Sequence, residues 1–163
     1  MKQVGIISDT HGYLDERFIP HLRDCDEVWH AGDIGSLEVA DQISGLSVLK
    51  AVYGNIDGHS IRAEFTQVNR FICEDIDVMI KHIVGKPGSY DYSMKQYLFQ
   101  NPPKLLIAGH SHILKIQNDP RLGFLFINPG AAGNSGFHKV KTMVKLTIDE
   151  SNMKNCEVVE LQR

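Results

Sequence analysis

Short apolar runs that stop abruptly at polar clusters set the rhythm of this chain. Gln3 to Ser8 carries Val4, Ile6 and Ile7 and then meets Asp9, which predicts a buried strand ending in a polar loop. Leu14 to Leu22 is amphipathic and predicts a helix. The pattern then repeats: Glu27 to Ala31 predicts a second strand, ending at Gly32 and Asp33, and Ser36 to Ile43 a second helix with Ser36 available as N-cap. Leu46 to Tyr53 predicts a third strand that runs into the turn Gly54, Asn55, Ile56, Asp57, Gly58.

Strands dominate the second half. Gln67 to His82 divides into two around the Glu74, Asp75 turn, the second being Asp77 to Lys81 with His82 at its end. Tyr90 to Gln100 predicts a helix, stopped by Asn101, Pro102 and Pro103 because proline cannot continue a helix and restricts its predecessor. Lys104 to Ala108 is a further buried strand, ending at Gly109, His110, Ser111 and His112. Ile113 to Gln117 and Phe124 to Asn128 predict a hairpin around Asn118, Asp119 and Pro120. Thr142 to Ile148 and Cys156 to Leu161 alternate as two antiparallel strands connected through Asp149 to Asn155. Early strand and helix units followed by a strand-rich half predict an α/β arrangement with mixed sheets and helices outside.

Composition narrows the picture. The 163 residues contain no repeat, low-complexity tract or composition shift, which predicts one domain over 1–163. A net charge of −3 argues against general nucleic-acid binding, which needs a basic face, while leaving room for a small anion. Cys25, Cys73 and Cys156 are widely spaced with no CxxC, a pattern of buried reduced thiols rather than of disulfides or structural zinc. The N-terminal run is too short for a signal peptide and no run reaches membrane-spanning length, so a cytoplasmic protein without membrane contact is expected.

The candidate chemistry lies at the strand ends. Asp9, His11, Asp33, Asn55, His82, His110 and His112 each follow a predicted strand, where loops at the edge of a sheet build sites. One such residue would be a turn cap or a satisfied core group, and the conjunction is what points to a metal centre. Carboxylate and amide oxygens with imidazole nitrogens and no nearby thiolate suit a transition metal, manganese first, with zinc, iron or nickel as alternatives. Four histidines are too nitrogen-rich for a magnesium-only site.

The motifs Asp9-Thr10-His11, Gly32-Asp33, Gly54-Asn55-Ile56-Asp57, His82 and Gly109-His110-Ser111-His112 resemble the calcineurin-like metallophosphoesterase superfamily, and in particular its small YfcE-like phosphodiesterases. The resemblance extends to Asn128-Pro129-Gly130 and covers nearly the whole chain. It implies a four-layer αββα sandwich and two divalent ions. Asp9, His11 and His112 would hold one ion, Asn55, His82 and His110 the other, and Asp33 would bridge them. Asp33 and Asn55 would also position the phosphate, and a metal-bound hydroxide would attack phosphorus in line. Two such ions with two aspartates and a hydroxide leave about one net positive charge, which a phosphodiester monoanion neutralises.

The chain also departs from the family pattern. Larger relatives carry a histidine directly after the metal-binding asparagine as acid for the leaving group, and here that position is Ile56. Asp57 fits the smaller relatives, with orienting a ligand or capping the turn as its two readings. The usual Thr-His-Gly-His is Lys81-His82-Ile83-Val84, and Lys81 is read as solvated. His30 alternates with Val28 and reads as structural, His21 and His59 read as surface residues, and His138 is a leaving-group candidate after the glycine-rich loop. The expected function is metal-dependent hydrolysis of a small phosphate diester, with activated leaving groups preferred. The rivals are a phosphomonoesterase and a non-catalytic scaffold like the retromer subunit of this fold. Analogy within the family also implies a homodimer.

Overall fold

A computed structural model describes residues 1–163. Two mixed five-stranded sheets stack face to face. The first contains β1 (Lys2–Ile7), β2 (Glu27–His30), β3 (Val48–Ala51), β11 (Val140–Asp149) and β12 (Asn152–Gln162), in the order β12-β11-β1-β2-β3. The second contains β4 (Val68–Cys73), β5 (Ile76–Lys81), β8 (Leu105–Ile107), β9 (Leu114–Asp119) and β10 (Phe124–Pro129), in the order β4-β5-β8-β10-β9. Strands β1, β2 and β3 run parallel, as do β5, β8 and β10, whereas the flanking strands pair antiparallel.

Period-two alternation builds the layers, because successive side chains leave opposite faces of a strand. Val4, Ile6, Val144, Leu146 and Ile148 of the first sheet meet Val78, Ile80, Leu105, Ile107 and Ile127 of the second in an apolar core between the sheets. Their neighbours face outward. Ile7, Val28 and Met143 cover Leu22 of α1 (Ile19–Arg23), Phe18 just before it, and Val39 and Ile43 of α2 (Leu37–Ser44), with Ile61 of α3 (His59–Glu64) joining them. Met79, Leu106, Phe124 and Phe126 cover Met94 and Leu98 of α4 (Tyr92–Gln100). The result is the four-layer αββα sandwich, and it aims the C-terminal ends of the parallel strands of both sheets at one edge.

Several expected boundaries change. The helix at Leu14 to Leu22 becomes a short 3-10 turn at Glu16–Phe18 followed by α1, since the Asp15 side chain accepts from Arg17 N and Pro20 opens a new first turn. Ser36 stands at the N-cap of α2, but its hydroxyl makes no capping bond. Tyr90 belongs to a two-residue strand, β7 (Ser89–Tyr90), paired with β6 (Gly85–Lys86), so α4 starts at Tyr92. The β11–β12 connection is a tight turn at Glu150 and Ser151 rather than the longer Asp149 to Asn155, with a register shift between Lys145 and Thr147. Cys156 lies exposed on the edge strand β12, unlike the buried Cys25 and Cys73. No helix is long and apolar enough to cross a membrane.

Candidate metal centre

Backbone geometry prepares the site. Asp9 (φ 54°), His11 (48°), Asp33 (54°), His110 (71°) and His112 (59°) all occupy the left-handed region, which side chains other than glycine rarely adopt. Of the other non-glycine residues there, Glu74 and Glu150 sit in the reversals of the β4–β5 and β11–β12 hairpins, and Asn155 at the irregularity in the β11–β12 pairing. At the candidate ligands the same conformation turns the chain sharply off a strand end and throws a polar side chain over the edge of the sheets. Glycines let these loops close up. A Cβ on Gly54 would lie 2.0 Å from Asp33 Oδ1, and one on Gly109 would lie 2.2 Å from Ser8 Oγ and 2.9 Å from Asp9 Oδ2.

The seven residues from five strand ends come together. Asp9, His11 and His112 form one cluster of ligand atoms and Asp33, His82 and His110 a second, the atoms of each lying within 4.8 Å of one another. Asp33 Oδ2 is 3.6 Å from His11 Nε2 and 3.1 Å from His82 Nε2, so a single oxygen reaches both clusters. Asp9 Oδ1 lies 3.2 Å from His112 Nε2 and 3.7 Å from His11 Nε2. Asn55 Oδ1 is 3.1 Å from His82 Nε2 and 3.0 Å from His110 Nδ1.

Hydrogen bonds assign several atoms. Asp9 Oδ2 accepts from Ser8 Oγ at 2.7 Å and from His110 N at 3.2 Å, leaving Oδ1 buried with no hydrogen-bond partner. His11 Nε2 is likewise buried and unpartnered. His82 Nδ1 donates to the Ala31 carbonyl at 2.7 Å, which in the neutral ring leaves Nε2 as a bare lone pair facing the oxygens of Asn55 and Asp33. Acceptors turned on one another in this way need a positive charge between them.

The electrostatics agree. Burial works to raise the Asp9 pKa, but the nearby imidazoles of His11, His112 and His82 together with Ser8 Oγ outweigh it and hold the carboxyl far below the usual range. Asp33 is lowered too, with His82 and the Ile56 N–H overcoming its burial. Conversely, Asp9 raises His11, and Asp33 and Asp9 raise His82 against its burial. A cluster that keeps its carboxylates charged and draws protons onto its imidazoles attracts cations.

Surrounding residues hold this arrangement. Asp57 accepts from three backbone N–H groups, Gly35 at 2.8 Å, Gly54 at 2.8 Å and Ile34 at 3.1 Å, tying the Asp33 loop to the Asn55 loop. Of its two expected readings, turn capping describes it. His30 is fully buried, accepting from Gly32 N and donating from Nε2 to Thr10 Oγ1 at 2.9 Å, while the Thr10 hydroxyl donates to the Ile34 carbonyl. Desolvation pushes its pKa down to about 4, so it is the neutral structural residue that was expected. Nothing in the sequence linked Asp57 to Ile34 or Thr10 to His30, since both pairings depend on the folded loops.

The remaining candidates fall outside the seven. Lys81 is half-buried with Nζ 3.2 Å from Met94 Sδ, turned toward α4 rather than into solvent or the site. His138 reaches the rim: its Nε2 donates to the Gly133 carbonyl at 2.8 Å and its ring packs edge-on against His112, with centroids 5.5 Å apart. Burial lowers its pKa, and with Nε2 donating, the inward Nδ1 carries a lone pair and no proton. His59 is exposed, whereas His21 is half-buried, its carbonyl accepting from Cys25 Sγ.

Residues 1–151 match the model of the calcineurin-like phosphoesterase superfamily domain, and the chain belongs to that family. A probable metallophosphoesterase of Methanothermobacter thermautotrophicus is 26% identical over 133 residues, spanning 78% of this chain and 76% of that protein. Two solved structures share the fold. The wild-type Vps29 of Entamoeba histolytica in complex with zinc has a TM-score of 0.75 at 18% identity, covering 98% of each chain. A structure described as a novel archaeal phosphodiesterase has a TM-score of 0.69 at 22% identity, covering 96% of this chain and 99% of its own.

Proposed function

We propose that this metallophosphoesterase is a phosphodiesterase working with two divalent transition-metal ions. Asp9, His11 and His112 would hold one and Asn55, His82 and His110 the other, with Asp33 between them. The observation that carries this reading is the single Asp33 oxygen within 3.6 Å of His11 Nε2 and 3.1 Å of His82 Nε2, the position a bridging carboxylate requires. The unpartnered Asp9 Oδ1 and His11 Nε2 support it, because both are donors of electron pairs that only a cation would satisfy together. Bound ions of this kind supply Lewis acidity toward phosphoryl oxygens and lower the pKa of water toward neutrality.

The residues of the chain do the rest. Asn55 and Asp33 fix the ligand geometry from two loops that Asp57 locks together. Ser8 and the His110 N–H hold Oδ2 of the Asp9 carboxylate, which leaves Oδ1 free to serve as a ligand. Ala31 fixes the His82 tautomer. Neither residue considered as acid for the leaving group serves as one: Ile56 is apolar, and His138 Nδ1 is deprotonated when Nε2 bonds Gly133. Without such an acid the ester arm departs as an anion, which favours aryl over alkyl leaving groups.

The test is turnover of bis(4-nitrophenyl) phosphate and 4-nitrophenyl phosphate by chelator-stripped protein with Mn2+, Zn2+, Fe2+ or Ni2+ restored, with Asp33→Ala as control. Metal-dependent hydrolysis of the diester, reduced at least ~100-fold in Asp33→Ala, is expected. Faster monoester turnover would instead make it a phosphomonoesterase, and two bound ions without turnover of either ester would make it a scaffold.

A further inference from the structure

Beside His110 a cavity of about 310 Å³ opens between the β5–β6 loop, the β8–β9 loop and the strands β9 and β10. Its apolar lining is Ile83, Val84, Ile113 and Phe126, with Val84 and Phe126 forming a buried floor. Its polar lining includes Lys86, Ser89, Asp91, Ser111 and Lys115. The lysines that form ion pairs are Lys2, Lys50, Lys141 and Lys154, so Lys86 and Lys115 keep their charges unmatched at this cavity. Against them stands only Asp91, leaving an excess of positive charge in a chain whose net charge is −3. Ser111 adds a donor: its Oγ accepts from Asn128 Nδ2 at 3.1 Å and from Ile113 N at 3.2 Å, which leaves its proton free.

Resting on the phosphodiesterase reading above, we propose that this cavity seats one ester arm of the substrate and selects an arm that carries an anionic group of its own beyond an apolar or aromatic segment. Position and chemistry both argue for this. His110 is shared between the ligand cluster and the cavity wall, so an ester held at the ions would extend an arm directly over Ser111 and Ile113. An apolar floor with few polar groups at the rim is how small-molecule sites combine affinity with orientation, and two lysines on a small cavity favour a phosphate or carboxylate within it. Lys86 comes from the β6–β7 hairpin and Lys115 from β9, two separate elements that converge on the same space.

Two measurements test it. Phenyl phosphate is titrated calorimetrically into the full-length protein in excess chelator, where the metal centre contributes nothing, and compared with K86M/K115M and K86R/K115R. Binding that falls at least ~10-fold in the methionine variant and survives in the arginine variant is expected, because each charge-assisted contact is worth about a factor of ten. Equal binding by all three proteins, or none, overturns the proposal. In the second, 4-nitrophenyl phosphodiesters whose other arm is a phenyl ring ending in phosphate or in hydroxyl are compared as a ratio of kcat/KM. A ratio of about ten or more in the wild type that collapses toward one in K86M/K115M supports the arm assignment. A wild-type ratio of one overturns it while leaving the phosphodiesterase intact. Lysine-dependent binding with no ester hydrolysed overturns the proposed function, and the arm assignment with it.

Discussion

Replacing Asp57 with alanine should damage stability and metal binding together. The carboxylate accepts from Gly35 and Gly54 at 2.8 Å and from Ile34 at 3.1 Å, and its removal strands two N–H groups in buried positions and one, that of Gly35, near the surface. A buried donor left unsatisfied costs about 1–2 kcal/mol, and the surface one less because water replaces its partner, so the total comes to about 3 kcal/mol. For a chain of this length that lowers Tm by about 6–12 °C. Asp57→Asn keeps one acceptor oxygen, which can still serve Ile34 and Gly54, and should lose only about 1 kcal/mol. Since these bonds fix the Asp33 loop against the Asn55 loop, Mn2+ affinity should fall about 10- to 100-fold in the alanine variant. Urea unfolding in chelator measures the first effect and calorimetric titration of Mn2+ the second. An alanine variant within ~1 kcal/mol of wild type, or one destabilised as expected but binding Mn2+ unchanged, refutes the coupling of these loops through Asp57.

Three further outcomes are expected. His30 has its pKa lowered from 6.5 to about 4 by burial, so the stability it contributes is present above pH 6.5 and is lost as pH falls from there to about 4, by about 3 kcal/mol; the pH dependence of urea midpoints in chelator, flatter over that window in His30→Gln, checks it. Burial alone would raise Glu27, but hydrogen bonds from Lys2, Lys50 and Trp29 hold it at about 2, so its contribution is present above its ordinary 4.5 and disappears as pH falls toward 2. Glu27→Gln should therefore cost about 2 kcal/mol at pH 7, with thermal melts converging on wild type at the acid end. Aryl diesters should be hydrolysed faster than alkyl diesters at saturating manganese, and Ile56→His, at a half-exposed position whose backbone N–H holds Asp33 Oδ1 at 3.0 Å, should raise alkyl turnover ~100-fold. Equal aryl and alkyl rates in the wild type would remove the argument from the missing acid.

The ligand-bearing ends of β1, β2, β5 and β8 were legible because each sits where a largely buried strand meets a polar loop, whereas β3, half-exposed along most of its length, was marked by the Gly54 to Gly58 turn that follows it. Val4 to Ile7, Val78 to Ile80 and Leu105 to Ile107 are read directly as strands, and Asp9, His82 and His110 follow them in sequence. Elements whose reason lies elsewhere in the fold were not legible. Helix α3 is held through Arg62, whose Nε donates to the Asp57 carbonyl at 2.6 Å and whose guanidinium lies over the Tyr53 ring, contacts that a six-residue polar segment does not advertise. The β6–β7 hairpin is too short to show a period. Strand β12 extends to Asn152 through exposed polar residues because β11 supplies an edge to pair with, and a solvated edge strand needs little apolar character. Cys156 is exposed for the same reason.

The left-handed backbone at Asp9, His11, Asp33, His110 and His112 sets this chain's evolution against its own stability. At His11 and His112, whose rings accept no hydrogen bond from the rest of the fold, glycine would relieve about 1 kcal/mol of conformational cost, so substitutions that destroy the candidate centre could make the metal-free fold sturdier. Selection for thermal tolerance alone, with no demand for catalysis, would wear the site away through glycine. Keeping five bulky polar side chains in that conformation fits a metallophosphoesterase, in which binding a cation would offset the strain of the backbone that presents its ligands.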